Sequence, residues 1–335
     1  MGLSDAIQRR WYQSAPTSVV LRGLSRVYGG AMRWRRERYM QGRTPGVRLP
    51  VPVIVVGNIT AGGTGKTPLT IALVEALRER GWHPGVVSRG YGGQRRVPEL
   101  LNDTPDPQEV GDEPCLIRGR TGALVAVGRE RPEAAQLLVE AGVDVVIADD
   151  GLQHYRLLRD VEICVIDGTR RFGNGWLLPA GPLREPVERL QSVDFRVCNG
   201  GVVRHGEVPM RLLGDTAHAL MGPVAPLALS SLVGRTVHAV AAIGNPSRFF
   251  ESLRVQRIDV IEHPFPDHHA FSARDLDFGD KLPVLMTAKD AVKCMYFPRR
   301  NWYSVPVRAE LPDAFFAELN ERLRLVQPRV RASHS

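Results

Sequence analysis

The sequence predicts an α/β fold: a P-loop NTPase-type domain with a parallel sheet, a smaller α/β domain joined to it by a β-ribbon hinge, and an N-terminal amphipathic helix. Three observations carry this. Short β-branched apolar segments alternate with helical stretches, as in sheets with crossover helices. A glycine-rich loop separates the first such segment from a helix, and ten arginines lie in the first fifty residues.

The domains are expected at 1–49 (basic arm), 50–200 (P-loop domain), 201–234 (ribbon or hinge) and 235–335 (smaller α/β domain with a C-terminal helix). The arm's arginines face only Asp5 and Glu37, so it carries the whole formal charge of +8 and leaves the remainder near neutral. Such basicity points to a localised anionic partner. Read as a helix from Thr17, the arm places Val20, Leu24, Val27 and Ala31 on one face and Arg22, Arg26 and Arg33 opposite. Trp11, Tyr28, Trp34 and Tyr39 suit the headgroup level of a bilayer. Two readings stand: a helix lying on an anionic membrane surface, or a terminal helix docked on the protein's own core. Nucleic acid is a third partner class and is not expected.

The four cysteines, Cys115, Cys164, Cys198 and Cys294, are far apart and form no C-x-x-C pair, so reduced thiols are expected and neither a zinc site nor a disulfide framework is. No apolar run approaches the roughly 20 residues of a membrane span, and no secretory signal core is recognisable.

Strands are expected at 51–56, 85–88, 124–127, 143–148, 162–166 and 195–198, each apolar as a strand buried on both faces must be. A helix over 68–80 stops at Gly81. The second domain is expected to hold strands at 237–243, 255–261, 284–287 and 302–307.

The strand 51–56 runs into Gly57 to Thr67 and then a helix. In Thr60, Ala61, Gly62, Gly63, Thr64, Gly65, Lys66 and Thr67, small residues let backbone amides converge on phosphate oxygens at a helix N-terminus. Lys66 is expected to reach the β and γ phosphates of ATP and Thr67 to ligate Mg²⁺. Thr60 stands where the usual pattern has its first glycine. Asp149 and Asp150 follow the strand 143–148 at the sheet edge where ligands bind, so one of them is expected to hold Mg²⁺.

With these motifs in view, the chain closely resembles the tetraacyldisaccharide 4'-kinases of lipid A synthesis. The resemblance rests on Val55–Pro68, Ser88–Gly92, Gly111–Pro114, Asp149–His154, Leu178–Pro186, Phe265–His268 and Thr287–Lys293, and so spans nearly the whole chain. Leu152 and Ala288 depart from the usual family residues. The resemblance implies transfer of the ATP γ-phosphoryl group to the 4'-hydroxyl of an acylated disaccharide 1-phosphate, on the cytoplasmic face of a bacterial inner membrane. It also implies a catalytic Asp112.

A sugar hydroxyl is a weak nucleophile and needs a proton acceptor. Asp112, in a Gly/Pro-bounded loop, is the first choice, with His268 sharing the proton if domain closure brings the two together. Glu113 is the alternative base or a support for Mg²⁺. Arg184, in a rigid proline-flanked loop, is expected to grip a phosphate. Ser88, Arg89, Gln153 and His154 are further candidates for the cleft wall. Lys289 and Asp290 are adjacent, where a guanine-reading motif sets them one residue apart, so GTP is not expected. The competing functions are a P-loop kinase or ligase for a soluble metabolite and a membrane-associated nucleotide switch.

Overall fold

The structure, a computed structural model, describes residues 10–12, 17–95 and 97–326. The rest of the arm expected at 1–49, including Asp5, lies outside the described residues, as does 327–335.

The chain forms two sheets. The first is built on β1 (Val53–Gly57), β2 (Pro84–Ser88), β4 (Val125–Val127), β5 (Val145–Asp149), β6 (Val161–Asp167), β7 (Phe195–Asn199) and β8 (Val208–Leu213), all parallel. β3 (Glu99–Leu100) and β15 (Arg308–Glu310) close its two edges antiparallel. Its central strands are buried on both faces, which is why they read as unbroken apolar runs. One face is covered by the helices Lys66–Glu79 and Asp112–Thr121, whose Leu69, Leu73 and Ile117 meet Ile54, Val86 and Ile147. The other is covered by Arg131–Glu140 and the segments around Leu152 and Leu183.

The second sheet has β11 (Thr236–Ala241), β12 (Asp259–Pro264), β13 (Val284–Thr287) and β14 (Trp302–Val305) in parallel, extended antiparallel by β9 (Thr216–Ala219) and β10 (Leu227–Ala228). The strand expected at 255–261 begins later: Val255 is the last residue of the helix Pro246–Val255, whose Phe249, Phe250 and Leu253 face the core. The turn between that helix and the strand is made by Gln256 and Arg257, with no glycine or proline to mark it, so composition alone hides the boundary.

The segment expected as a ribbon at 201–234 is divided between the sheets. β8 joins the first, and β9 and β10 join the second. The chain crosses back at 306–307, so β8–β9 and β14–β15 run side by side, Leu213 opposite Arg308 and Ala219 opposite Tyr303. The C-terminal helix Asp313–Val326, expected with the smaller domain, packs instead on the first core through Phe315, Leu319 and Leu323. β15 carries the chain back before that helix begins, and the apolar stripe of the helix meets the nearer sheet.

The helix Val19–Met40 has two distinct faces. Ser25 and Gly29 are buried, with the Ser25 hydroxyl donating to Leu177 O at 2.8 Å and the Tyr28 hydroxyl to Arg184 O at 3.1 Å. The apolar face stays outside: Val20 is 70 % exposed, Val27 73 % and Trp34 61 %. The helix thus docks by its small and polar side and presents its hydrophobic stripe to the surroundings.

Candidate active site

The carboxyl edge of the first sheet gathers the charged groups. Gly57 ends β1, and the loop behind it reaches the helix Lys66–Glu79 through Gly65, whose φ of 99° an L-side chain rarely adopts. The Lys66 Nζ lies 3.3 Å from Asn58 Oδ1 and 3.5 Å from Asp150 Oδ1. Arg184 Nη1 donates to both oxygens of Asp150, at 3.1 and 3.2 Å. Arg184 is itself fastened to the stem of the loop, its amide donating to Ile59 O and the amide of Ala61 to Pro182 O, both at 2.7 Å. Lys66, Asp150 and Arg184 therefore form one cluster, with Asp150 held at a φ of 49° that costs conformational energy.

The paired aspartates differ sharply. Burial would raise the Asp150 carboxyl, but Lys66, Arg184 and Arg131 outweigh it and hold the group well below the usual carboxylate range. Asp149 is fully enclosed at the end of β5. Burial, helped by Glu113 and Asp150 against Lys66, pushes it up to about 7. Its Oδ1 accepts from the Thr70 hydroxyl at 3.1 Å, while Oδ2 is buried without a partner among the described residues.

Asp112 was expected in a loop. It opens the helix Asp112–Thr121 instead, behind Gly111 at a φ of 93°, and is 7 % exposed. Across from it His268 projects from the second sheet's side with a φ of 61°, its Nδ1 3.2 Å from Asp112 Oδ2. The Tyr91 ring lies against the imidazole in a tilted contact, 4.9 Å between ring centroids. Two lysines one helical turn apart flank this pair. Lys289 Nζ lies 3.3 Å from Glu113 Oε1 and 3.4 Å from His268 Nε2, and Lys293 Nζ lies 3.8 Å from Asp112 Oδ2.

The family model for tetraacyldisaccharide-1-P 4'-kinase matches residues 17–324. The chain belongs to that family. It is 54 % identical to the tetraacyldisaccharide 4'-kinase of Xanthomonas euvesicatoria pv. vesicatoria (strain 85-10) over 95 % of this chain and 96 % of that one. It is 52 % identical to the enzyme of the same name from Stenotrophomonas maltophilia (strain R551-3), with the same coverage. A crystal structure of the Aquifex aeolicus LpxK in complex with ATP superposes with a TM-score of 0.74 at 26 % identity, covering 90 % of this chain and 98 % of that one.

Other positions fall into place around the site of this 4'-kinase family member. Gln153 donates to Asn58 O at 3.0 Å and to Glu185 Oε2 at 2.8 Å, so it braces the loop stem. His154 is held neutral, down to about 3, by burial and then by Arg131 and Arg159. Ser88 is buried at the end of β2 and Arg89 is exposed. Thr67 sits in the first helical turn beside Lys66. Glu113 Oε1 is paired with Lys289, and Asp150 with Lys66 and Arg184, while among the described residues the buried Oδ2 of Asp149 has no partner. Reading the residues one by one misses Asn58, Thr70, Arg131, Lys289 and Lys293 as members of the site. The last two carry one local signal, an i,i+4 spacing on one helix face. The others become visible only when strands distant in sequence lie side by side.

Proposed function

We propose that this protein transfers the γ-phosphoryl group of ATP to the 4'-hydroxyl of a tetraacylated disaccharide 1-phosphate, the step that yields the bisphosphorylated lipid A precursor in lipopolysaccharide synthesis. The observation that carries the reading is the meeting of Asp112 and His268, from different sheets, beside the Lys66, Asp150 and Arg184 cluster. Lys66 and the loop amides bind the triphosphate, and Arg184 offers a guanidinium fork to a phosphate oxygen. The Asp112 carboxylate accepts the proton of the attacking hydroxyl, and His268 steadies that carboxylate through its ring N–H. The contact between the two sheets excludes water from the acceptor's side and so limits wasteful hydrolysis.

The residues present suit Mg²⁺. A protein usually holds this ion by one or two carboxylates together with substrate phosphates. Asp149 has a buried oxygen without a partner, and Thr67 lies close to Lys66 in the chain. Asp149 and Thr67 would hold it, with Asp150 and Glu113 nearby, and the ion would neutralise charge on the β and γ phosphates. Among the described residues no cluster of three or more His, Cys, Asp or Glu side chains forms a metal cage by itself.

The exposed stripe of Val20, Leu24, Val27 and Trp34, bordered by Arg26, Arg33 and Arg35, supports peripheral attachment to an anionic membrane. The cytoplasmic face of a bacterial inner membrane fits both this stripe and the acylated acceptor. Among the described residues no helix is long and apolar enough to cross a membrane. The test is incubation with γ-labelled ATP and the acylated disaccharide 1-phosphate, in parallel with its deacylated form. Label at the 4' position of the glycolipid supports the reading. Label on the deacylated sugar alone would favour a soluble-metabolite kinase, and release of phosphate without transfer would favour a nucleotide switch.

A further inference from the structure

Four consecutive carbonyls of the phosphate loop are each held by a different side chain, three from elsewhere in the chain and one, Asn58, from the stem of the loop. The Tyr12 hydroxyl lies 3.4 Å from Ala61 O, and Asn58 Nδ2 lies 3.4 Å from Gly62 O. Arg170 Nη2 donates to Gly63 O at 2.9 Å, and Asn199 Nδ2 to Thr64 O at 2.8 Å. In a trans peptide the C=O and the next N–H point in opposite directions across one plane. Each grip therefore turns the following amide the other way: those of Gly62, Gly63, Thr64 and Gly65. Among the described residues none of these four amides donates a backbone hydrogen bond.

The two shorter bonds come from residues that are themselves locked. Arg170 Nε donates to Asp167 Oδ2 at 3.0 Å and its Nη1 to Gly244 O at 3.2 Å, while its guanidinium lies over the Tyr12 ring. Asp167, buried at the end of β6, also accepts from the amides of Thr169 and Arg170 and pairs with Arg248 at 2.9 Å. Asn199 is buried at the end of β7. A Cβ on Gly65 would lie 2.3 Å from its Nδ2, so this approach requires glycine there. A separate observation points to a ligand at the loop: Thr64 is 1 % exposed, yet its hydroxyl oxygen has no partner among the described residues.

We propose that Arg170 and Asn199 are positioning residues for the polyphosphate. By fixing the carbonyls of Gly63 and Thr64, they preset the Thr64 and Gly65 amides as a cradle for phosphate oxygens before nucleotide arrives. The assignment rests on the ATP reading above and goes beyond it, because both side chains bind the carbonyls of the loop and are given a role through its amides. Asn199→Asp is the sharp probe. It keeps size and shape but replaces the donor with a carboxylate that repels Thr64 O.

The experiment is calorimetric titration of the full chain with MgATP and MgADP, for wild type, Asn199→Asp, Arg170→Met and Arg170→Lys, alongside thermal unfolding of each. Asn199→Asp and Arg170→Met are expected to bind MgATP about tenfold or more weaker, with a smaller loss for MgADP because fewer phosphate oxygens use the cradle. Arg170→Lys, which keeps the charge but not the fork, is expected between wild type and Arg170→Met. Folded variants with wild-type MgATP affinity overturn the proposal. So does a loss equal for both nucleotides. A wild-type protein that binds no MgATP overturns the nucleotide reading itself. If Asn199→Asp or Arg170→Met does not fold, Arg170→Lys decides, its wild-type affinity counting against the proposal.

Discussion

His268 Nδ1 and Asp112 Oδ2 stand 3.2 Å apart although 156 residues separate them in the chain. The contact joins the N-terminus of a helix on the first sheet to the loop after β12 of the second. His268 therefore steadies the proposed proton acceptor only while the two domains touch.

Replacing Asp112 with Asn keeps the hydrogen bond's shape but removes the proton acceptor. Turnover is expected to fall by about 10²–10⁴-fold, with MgATP affinity close to wild type. Single-turnover kinetics with separate nucleotide titration checks this, and a loss confined to affinity would exclude the role of base.

Lys66→Ala should depress nucleotide binding and reduce transfer by about 10²–10³-fold or more, the scale of losing a main charge-stabilising group. Asp150 then keeps Arg184 as a partner, so the fold should survive. Circular dichroism and phosphoryl-transfer assays on the same preparation test both halves.

Asp149 gives a pH prediction for the metal-free, nucleotide-free protein. Its carboxyl rises from 3.8 to about 7 on folding, because burial and the neighbouring Glu113 disfavour charge. The native state thus holds a proton that the unfolded chain has released, and this contribution to stability is full below about 4 and lost as pH rises through about 7. Asp149→Asn should flatten that slope and raise the unfolding temperature at pH 8 relative to wild type. A slope unchanged by the substitution would show that Asp149 ionises normally.

The exposed stripe of the helix Val19–Met40 can be tested without removing the helix, which also supports Arg184 O through Tyr28. Leu24→Asp or Val27→Asp should weaken flotation with anionic vesicles by about tenfold or more, since burying one such side chain contributes about 1.5–3 kcal/mol. MgATP affinity should be unaffected. Equal vesicle retention would place the membrane contact elsewhere.

Much of the first sheet is legible in the sequence because its strands are buried on both faces and the loop Thr60–Thr67 follows one directly. β13 is legible for the same reason. The 255–261 region is not, since the turn between the helix and the half-exposed strand is made by Gln256 and Arg257, and no glycine or proline marks it. The home of the C-terminal helix is equally hidden: its stripe records that it packs, and only the pairing of β15 with β8 decides where. In the site, Asp112, His268, Lys66 and Arg184 stand out by motif. Arg131 and Asn199 do not, because a lone polar residue beside a strand reads the same whether it is solvated or braces a loop.

The paired crossings β8–β9 and β14–β15 make the smaller domain an insert whose two ends both belong to the larger one. Two chain crossings at one edge restrain its movement against the first sheet more than a single linker would. Cutting the chain after Val305 would strip the C-terminal helix from the first core, so the catalytic half cannot be isolated by trimming from the end.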